Sequence, residues 1–286
     1  MHGEAQAQGD AALYVVATPL GNLQDVTLRA LEVLASVDLV AAEDTRVTRV
    51  LLDRHGIRAQ LLALHEHNEA RTAQRLISLL KEGKSVALVS DAGTPAISDP
   101  GAVLVRRVQE AGLRVVPVPG PSAITALLSV AGLEDGRFAF IGFPPAQAGA
   151  RRKLFESVRA LPCAVVLYEA PHRVRESVAD LAEVLGPDRR LVIGRELTKV
   201  YESVHALRLG DALEWLDADA NRLRGEFVLA VEPGHEAVDR QAEEGERILR
   251  MLLAELPLKQ AVKLAAEISG AKRNALYERA LALKDE

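Results

Sequence analysis

The segment Val86-Ala-Leu-Val-Ser-Asp-Ala-Gly-Thr-Pro-Ala-Ile-Ser-Asp-Pro-Gly101 constrains the fold more than any other stretch of the chain. Val86 to Val89 are apolar without alternation, which suits a parallel strand covered on both faces. After Ser90, two aspartates, two glycines and two prolines fall within eleven positions. Glycine lets a backbone approach a ligand closely, and proline stiffens a loop before anything binds. In an open α/β sheet, ligands bind outside the carboxyl ends of the strands, where this loop would lie. An ordinary strand-to-helix connection takes about two to six residues. This one is longer and more constrained, so it reads as a ligand loop.

The same logic extends along the chain. Strands are expected at residues 13–19, 39–42, 60–64, 86–89 and 115–118, with helical runs such as 27–36 and 72–81 between them. Gly56, Gly83 and Gly112 each follow a helix and precede a strand, where a left-handed cap is wanted. Strand–helix alternation of this kind predicts a parallel sheet covered by helices. A second α/β unit begins near Gly120-Pro121-Ser122-Ala123, with strands at 137–143, 164–168, 191–194, 203–208 and 226–231. Only a short helical piece at 211–216 separates the last two, so this sheet is expected to be mixed. Residues 237–286 carry no strand signal and read as three helices, the last two (258–268 and 274–283) joined by a turn containing Gly270 as in a helix-turn-helix. The expected organisation is a disordered leader at 1–12, an α/β domain at 13–120, a second at 121–233, and a helical extension at 234–286.

Composition narrows the function classes. The chain has 286 residues, one cysteine and a net charge of −5. A lone Cys163 excludes disulfide frameworks and thiolate metal clusters. The acidic balance argues against a protein that coats nucleic acid non-specifically, and an aromatic content of 3% argues against an extended base-stacking platform. No apolar run is long enough to span a membrane, and no signal peptide is visible, so a cytoplasmic location is the default. Between Glu255 and Lys284, six Lys and Arg stand against three Glu. This local basic balance fits either a hairpin packed on the body or a second subunit, or a nucleic-acid contact.

Polar clusters close several strands. Thr18-Pro19-Leu20-Gly21-Asn22 ends the first, and it is neither a GxGxxG fingerprint nor a phosphate loop. Glu43, Asp44 and Arg46 end the second, and His65-Glu66-His67-Asn68-Glu69 the third. The histidines lack the helical HExxH spacing and a distant third ligand, so no metal site is expected. The alternative is a polar rim that binds substrate. With Tyr168 to Arg173 and Arg195 to Lys199 on the second unit, these strand ends point to a cleft between domains.

In chain order the motifs are TPLGN from Thr18, AEDTR from Ala42, HEHNE from His65, SDAGTPAISDPG from Ser90, PGPSA from Pro119, YEAPHR from Tyr168, RELTKVYE from Arg195 and GEFVLAV from Gly225. This series resembles the ribosomal RNA small subunit methyltransferase I family, within the class III, tetrapyrrole methylase-like S-adenosylmethionine enzymes. The resemblance implies a two-domain α/β methylase, usually a homodimer, with a parallel N-terminal sheet, a mixed C-terminal sheet and a helical extension. It implies methylation of the 2′-hydroxyl of a cytidine in the decoding region of 16S rRNA, within the small ribosomal subunit. Carried over, the S-adenosylmethionine residues are Leu20, Asp91, Gly93, Thr94, Ile97, Ser122, Ala123, Tyr168, Glu226 and Phe227. Pro19 and Asn22 stand where tetrapyrrole enzymes carry glycine and aspartate, which argues against a tetrapyrrole substrate. A ribose hydroxyl is a poor nucleophile, so a base is expected among Glu43, Asp44, Glu66, Glu69 and Lys199, with Lys199 favoured if burial lowers its pKa. RNA contacts are expected from Arg46, His67, Arg173, Lys272 and Arg273.

Overall fold

The computed structural model describes residues 11–65 and 68–285. It divides into two compact units, Met1–Val130 with Gly194–Val204, and Ala131–Ile193 with His205–Glu286. In the first unit, β1 (Ala12–Val16), β2 (Leu39–Ala42), β3 (Leu61–Ala63), β4 (Val86–Val89) and β5 (Arg114–Val118) form one parallel sheet in the order β3-β2-β4-β1-β5. Its helices are α1 (Leu28–Ser36), α2 (Thr45–Arg54), α3 (Glu69–Lys81), α4 (Ala102–Glu110) and α5 (Ala123–Val130).

The two central strands explain the missing alternation. Val86 and Leu88 of β4 enter one core with Leu13, Leu39, Leu76 and Leu104, whereas Ala87 and Val89 enter another with Val16, Val40, Leu34 and Leu52. Both faces of the sheet are covered, so every position of β2 and β4 is buried. The connection from β1 to β2 runs through α1 on one face, and the connection from β4 to β5 through α4 on the other. Neighbouring strands β1 and β4 therefore send their chains in opposite directions. That is a topological switch point, where an open α/β sheet leaves a crevice at its carboxyl edge.

The second unit carries β6 (Phe138–Phe140), β7 (Ala164–Glu169), β8 (Arg190–Arg195), β9 (Ser203–Arg208) and β10 (Phe227–Val231), in the order β6-β7-β10-β8-β9. β6 and β7 are parallel and β7 and β10 antiparallel, so the sheet is mixed as expected. Helices α6 (Ala148–Val158), α7 (Val174–Leu185) and α8 (Leu209–Asp217) cover a core built on Phe155, Leu167, Leu181, Ile193 and Leu229. The tail forms α9 (His235–Leu253), α10 (Leu258–Ser269) and α11 (Arg273–Asp285) around a small core of its own, including Leu249, Val262, Ala265, Leu276 and Ala280. Gly270 caps α10 in the left-handed conformation, as the helix-turn-helix spacing predicts.

Two boundaries differ from the sequence reading. Ala12, placed in the leader, is the first residue of β1. The compact units part after Val130, at the end of α5, and the loop 194–204 clusters with the first unit although β8 and β9 lie in the second sheet. A boundary set by which core a helix joins leaves no mark at Gly120.

Glu69 belongs to this scaffold. It opens α3 and is buried, and one carboxylate oxygen accepts the N–H groups of Gly101, Val103 and Leu104 at 2.9–3.0 Å. A helix N-terminus leaves such donors without intrahelical partners, and a carboxylate there is also favoured by the helix dipole. Glu69 is thus the cap of α4, and the expectation that it serves as a base is corrected. Glu69→Ala should cost about 2 kcal/mol, within the range for a lost cap and stranded buried donors. Urea unfolding measures this, and an unchanged midpoint would show that the cap contributes nothing.

Candidate functional site

The crevice at the switch point is built by three loops fastened to one another. Thr18 and Gly93 exchange backbone hydrogen bonds at 2.8 and 3.0 Å, forming an isolated antiparallel bridge between the turn after β1 and the loop after β4. The Thr18 hydroxyl donates to the Ser90 carbonyl at 3.1 Å, and the Thr94 hydroxyl to the Pro121 carbonyl at 3.1 Å. Gly93 has a φ of 74°, and a Cβ on it would lie 3.3 Å from a Leu20 methyl carbon, so a side chain is disfavoured on both counts. Next to these loops lies a pocket of about 330 Å³, lined by Leu20, Asp25, Gly120, Pro121, Ser122, Thr125, Ala126 and Thr198. Its wall mixes apolar carbon with three hydroxyls.

The fourth part is the loop after β8. Thr198 accepts the Asn22 N–H at 3.2 Å, and Lys199 lies across Gly21, where an added Cβ would come within 2.2 Å of the lysine Cγ. The Lys199 ammonium pairs with the Glu196 carboxylate at 3.0 Å, the two side chains 27% and 16% exposed. Glu196 and Thr198 both hold positive φ, at 52° and 68°. A non-glycine residue in that region costs of order 1–3 kcal/mol and persists only where its surroundings hold it.

The candidate bases thus separate. Asp44 caps α2, and its hydrogen bonds from the Arg46 side chain and backbone lower its pKa to about 2, which leaves it a weak base. Glu43 accepts the Asp91 N–H at 3.3 Å, and burial pushes its pKa up. Burial also raises Asp91, which accepts the Asp44 N–H at 2.9 Å, and Asp99. Lys199 acts as a base only when neutral, and in the structure its amine pairs with the Glu196 carboxylate at 3.0 Å. Glu66 and His67 lie outside the described residues.

Leu20, Gly93, Thr94, Ser122 and Ala123 come together around the pocket and its loops, while Ile97 is exposed on the loop after β4 and Asp91 keeps part of its surface in solvent although its carboxylate turns in to accept the Asp44 N–H. On the second unit, Tyr168 stacks edge-on to Phe140, with ring centroids 4.9 Å apart. It sits in register with Val228, and Phe227 with Glu169. The Phe227 side chain is buried in the core, while Glu226 is exposed. Arg173 is corrected as an RNA contact. It pairs at 2.7 Å with Glu169, whose side chain is fully buried and which also accepts from Ser177. Removing Arg173 would strand a buried charge, and that is a structural job. Arg46 remains at the surface, 88% exposed, paired with Asp44 at 2.5 Å. On the tail, Lys272 stands 3.8 Å from Glu134 with both side chains in solvent, and Arg273 is exposed.

Sequence reasoning placed Thr18, Glu196 and Thr198 in the strand-end clusters but gave none of them a role. No composition signal marks Glu196 or Thr198, because positive φ at Glu and Thr is imposed by tertiary contacts. Thr18 reads in the sequence only as the start of a turn.

Residues 12–213 match the Tetrapyrrole (Corrin/Porphyrin) Methylases. The uroporphyrin-III C-methyltransferase of Thermus thermophilus shares the fold, with a TM-score of 0.55 and 23% identity, over 78% of this chain and 94% of that one. The architecture is therefore that of a two-unit methyltransferase of this class. Residues 239–284 match the RsmI C-terminal HTH domain. Ribosomal RNA small subunit methyltransferase I of Escherichia coli O157:H7 is 52% identical over 270 residues, 94% of each chain. Its namesake in Pseudomonas aeruginosa is 51% identical over 274 residues, 94% of this chain and 96% of that one. The chain belongs to the ribosomal RNA small subunit methyltransferase I family.

The raised carboxylates make a checkable stability statement. A carboxyl whose folded pKa lies above its unfolded value contributes stability fully below the unfolded value, here 4.5 for Glu43. That contribution is lost as pH rises through the folded value. Glu43→Gln should therefore melt above the native chain at about pH 7, and the gap should close towards about pH 4. A gap that widens on acidification would contradict the burial argument.

Proposed function

We propose that this chain transfers a methyl group from S-adenosylmethionine to the 2′-hydroxyl of a cytidine in the decoding region of 16S rRNA, acting as a homodimer on the small ribosomal subunit. The carrying observation is the fastening of the turn after β1, the loop after β4 and the Pro121 turn around one pocket. Such a pocket suits a nucleoside sulfonium. Leu20, Pro121 and Ala126 offer apolar walls, and Ser122, Thr125 and Thr198 offer hydroxyls. S-adenosylmethionine, when bound, supplies an electrophilic methyl carbon and needs no metal. The cofactor residues of the first unit are Leu20, Asp91, Gly93, Thr94, Ile97, Ser122 and Ala123.

A direct displacement gains most from alignment, so a preformed crevice suits it. Lys199 is the catalytic group in this reading. As an ammonium it donates to the ribose oxygen and favours the negative charge that builds there as the hydroxyl proton leaves to water. Asp44, held near 2 by Arg46, contributes the cap of α2. A tetrapyrrole substrate is disfavoured because Asn22, standing where tetrapyrrole enzymes carry aspartate, offers an uncharged amide, and that amide is engaged in capping the 3-10 turn that follows it.

Asp91→Ala should weaken S-adenosylmethionine binding at least about tenfold in calorimetry, with or without a chelator, since alignment of the loop is lost. Unchanged affinity would remove the cofactor assignment. Mapping 2′-O-methyl groups in 16S rRNA from a strain lacking the gene should show one missing cytidine methylation, restored by the purified chain on small subunits and not on short oligonucleotides. An acidic chain with few aromatics lacks the means to hold a free strand.

For the tail, Lys272→Glu with Arg273→Glu should weaken binding to small subunits and flatten its salt dependence, by roughly one unit of slope for each phosphate left without its cation. A change in oligomeric state with the salt slope intact would make the tail a packing element.

A further inference from the structure

We propose that Glu196 is a positioning residue for Lys199, and that the bare Cα of Gly21 is the surface across which it holds the lysine chain. This deepens the methyl-transfer reading and rests on it for the reaction, although its geometry is independent. Three observations converge. The lysine chain crosses Gly21 so closely that a Cβ would lie 2.2 Å from Cγ and 3.0 Å from Cδ and Cε. The amine at the end of that chain meets Glu196 at 3.0 Å. Both residues belong to a loop held in an unfavourable backbone shape, with Glu196 at φ 52° and Thr198 at φ 68°.

Hydrogen bonds within and beyond the loop hold that shape. The Thr198 N–H donates to the Glu202 carboxylate at 2.5 Å, and the Lys199 N–H to the Glu196 carbonyl at 2.9 Å. Thr198 is tied to the Asn22 N–H and lines the pocket with Leu20 and Ser122. Strain stored so close to a pocket is the kind of cost a fold keeps at a functional site. A surface lysine samples many rotamers and places its charge loosely. Here a carboxylate at one end and a missing side chain beneath the stem leave one path for the chain. Glu196 touches no reacting atom in this scheme and acts only through Lys199.

The test is a pair of variants read in two ways. Glu196→Gln should lower kcat about tenfold, as expected for a misplaced catalytic group, with S-adenosylmethionine affinity and melting temperature unchanged. Glu196→Asp should recover part of the loss. In a Lys199→Met background, Glu196→Gln should cost nothing further, because two residues acting as one unit are non-additive. Gly21 has an ordinary φ, so Gly21→Ala adds only the obstructing carbon, and it should reproduce the kcat loss.

The second reading needs no substrate. Pulse acylation with mass spectrometry should label Lys199 several-fold faster in Glu196→Gln and Gly21→Ala than in the native chain, other lysines serving as the internal standard. An equal loss in the Lys199→Met background, or unchanged labelling of Lys199 in both variants, would overturn the assignment. If the native chain fails to methylate small subunits, the proposed reaction falls, and the labelling comparison still decides the positioning role.

Discussion

Two backbone hydrogen bonds between Thr18 and Gly93 carry the organisation of this site. β1 and β4 are neighbours whose chains leave in opposite directions, one under α1 and the other under α4 on the opposite face. Without a tie, the two loops would diverge and the crevice would be a gap of variable width. The bridge itself fixes that width with main-chain atoms alone, and the hydroxyls of Thr18 and Thr94 add ties to the Ser90 and Pro121 carbonyls. Thr94 then passes the constraint to Pro121, and Asn22 passes it to Thr198. Each tie uses a backbone group that would otherwise have to find a partner at the end of a strand.

The electrostatics of the carboxyl edge are arranged against stability. Glu43, Asp91 and Asp99 are each harder to ionise than an isolated carboxyl, first because of burial, and neighbouring carboxylates add to it. Asp44 goes the other way because Arg46 neutralises it. A fold that wanted only to persist would replace such a group with apolar residues. Keeping three mutually repelling carboxyls beside a preformed pocket and two strained residues is the pattern of a site that gives up stability for a binding surface.

Much of this was legible in the sequence, and the reason is local. The runs at Val86–Val89 and Leu39–Ala42 could only be strands covered on both faces, and Gly56, Gly83 and Gly112 indeed take positive φ of 66°, 87° and 70°. Short-range chemistry also marked Gly270 and the loop from Asp91 to Gly101. What sequence could not show is which partner a charged residue meets. Glu69 sits among histidines and carboxylates in the chain, yet in space it faces the N-terminus of α4, more than thirty positions on. Arg173 resembles a nucleic-acid contact until Glu169 is found buried beneath it. The ordered motifs identified the family correctly, and they did so without distinguishing residues that touch a ligand from residues that hold the loops.

The tail shows the same limit in its charge. Counting along the sequence gives it a positive balance, but a phosphate responds to charge that is not already neutralised. Arg279 and Arg250 both close on Glu246, which those pairings lower to about 2; the Arg279 pair ties α11 to α9, and the Arg250 pair lies within α9. Lys263 stands near Glu267 along its own helix. The Arg279 pair, partly shielded between two helices, serves the small core of Leu249, Val262 and Leu276 more than it serves a partner. Lys272 is different, because its contact with Glu134 is long and both side chains are in solvent, where such pairs contribute little and yield readily to a better anion. Basic character that could meet a phosphate is therefore found at the start of α11, at Lys272 and Arg273, where a helix N-terminus already favours negative charge, and at the exposed Lys259 of α10. A module with its own core can exchange such surface contacts without giving up that core.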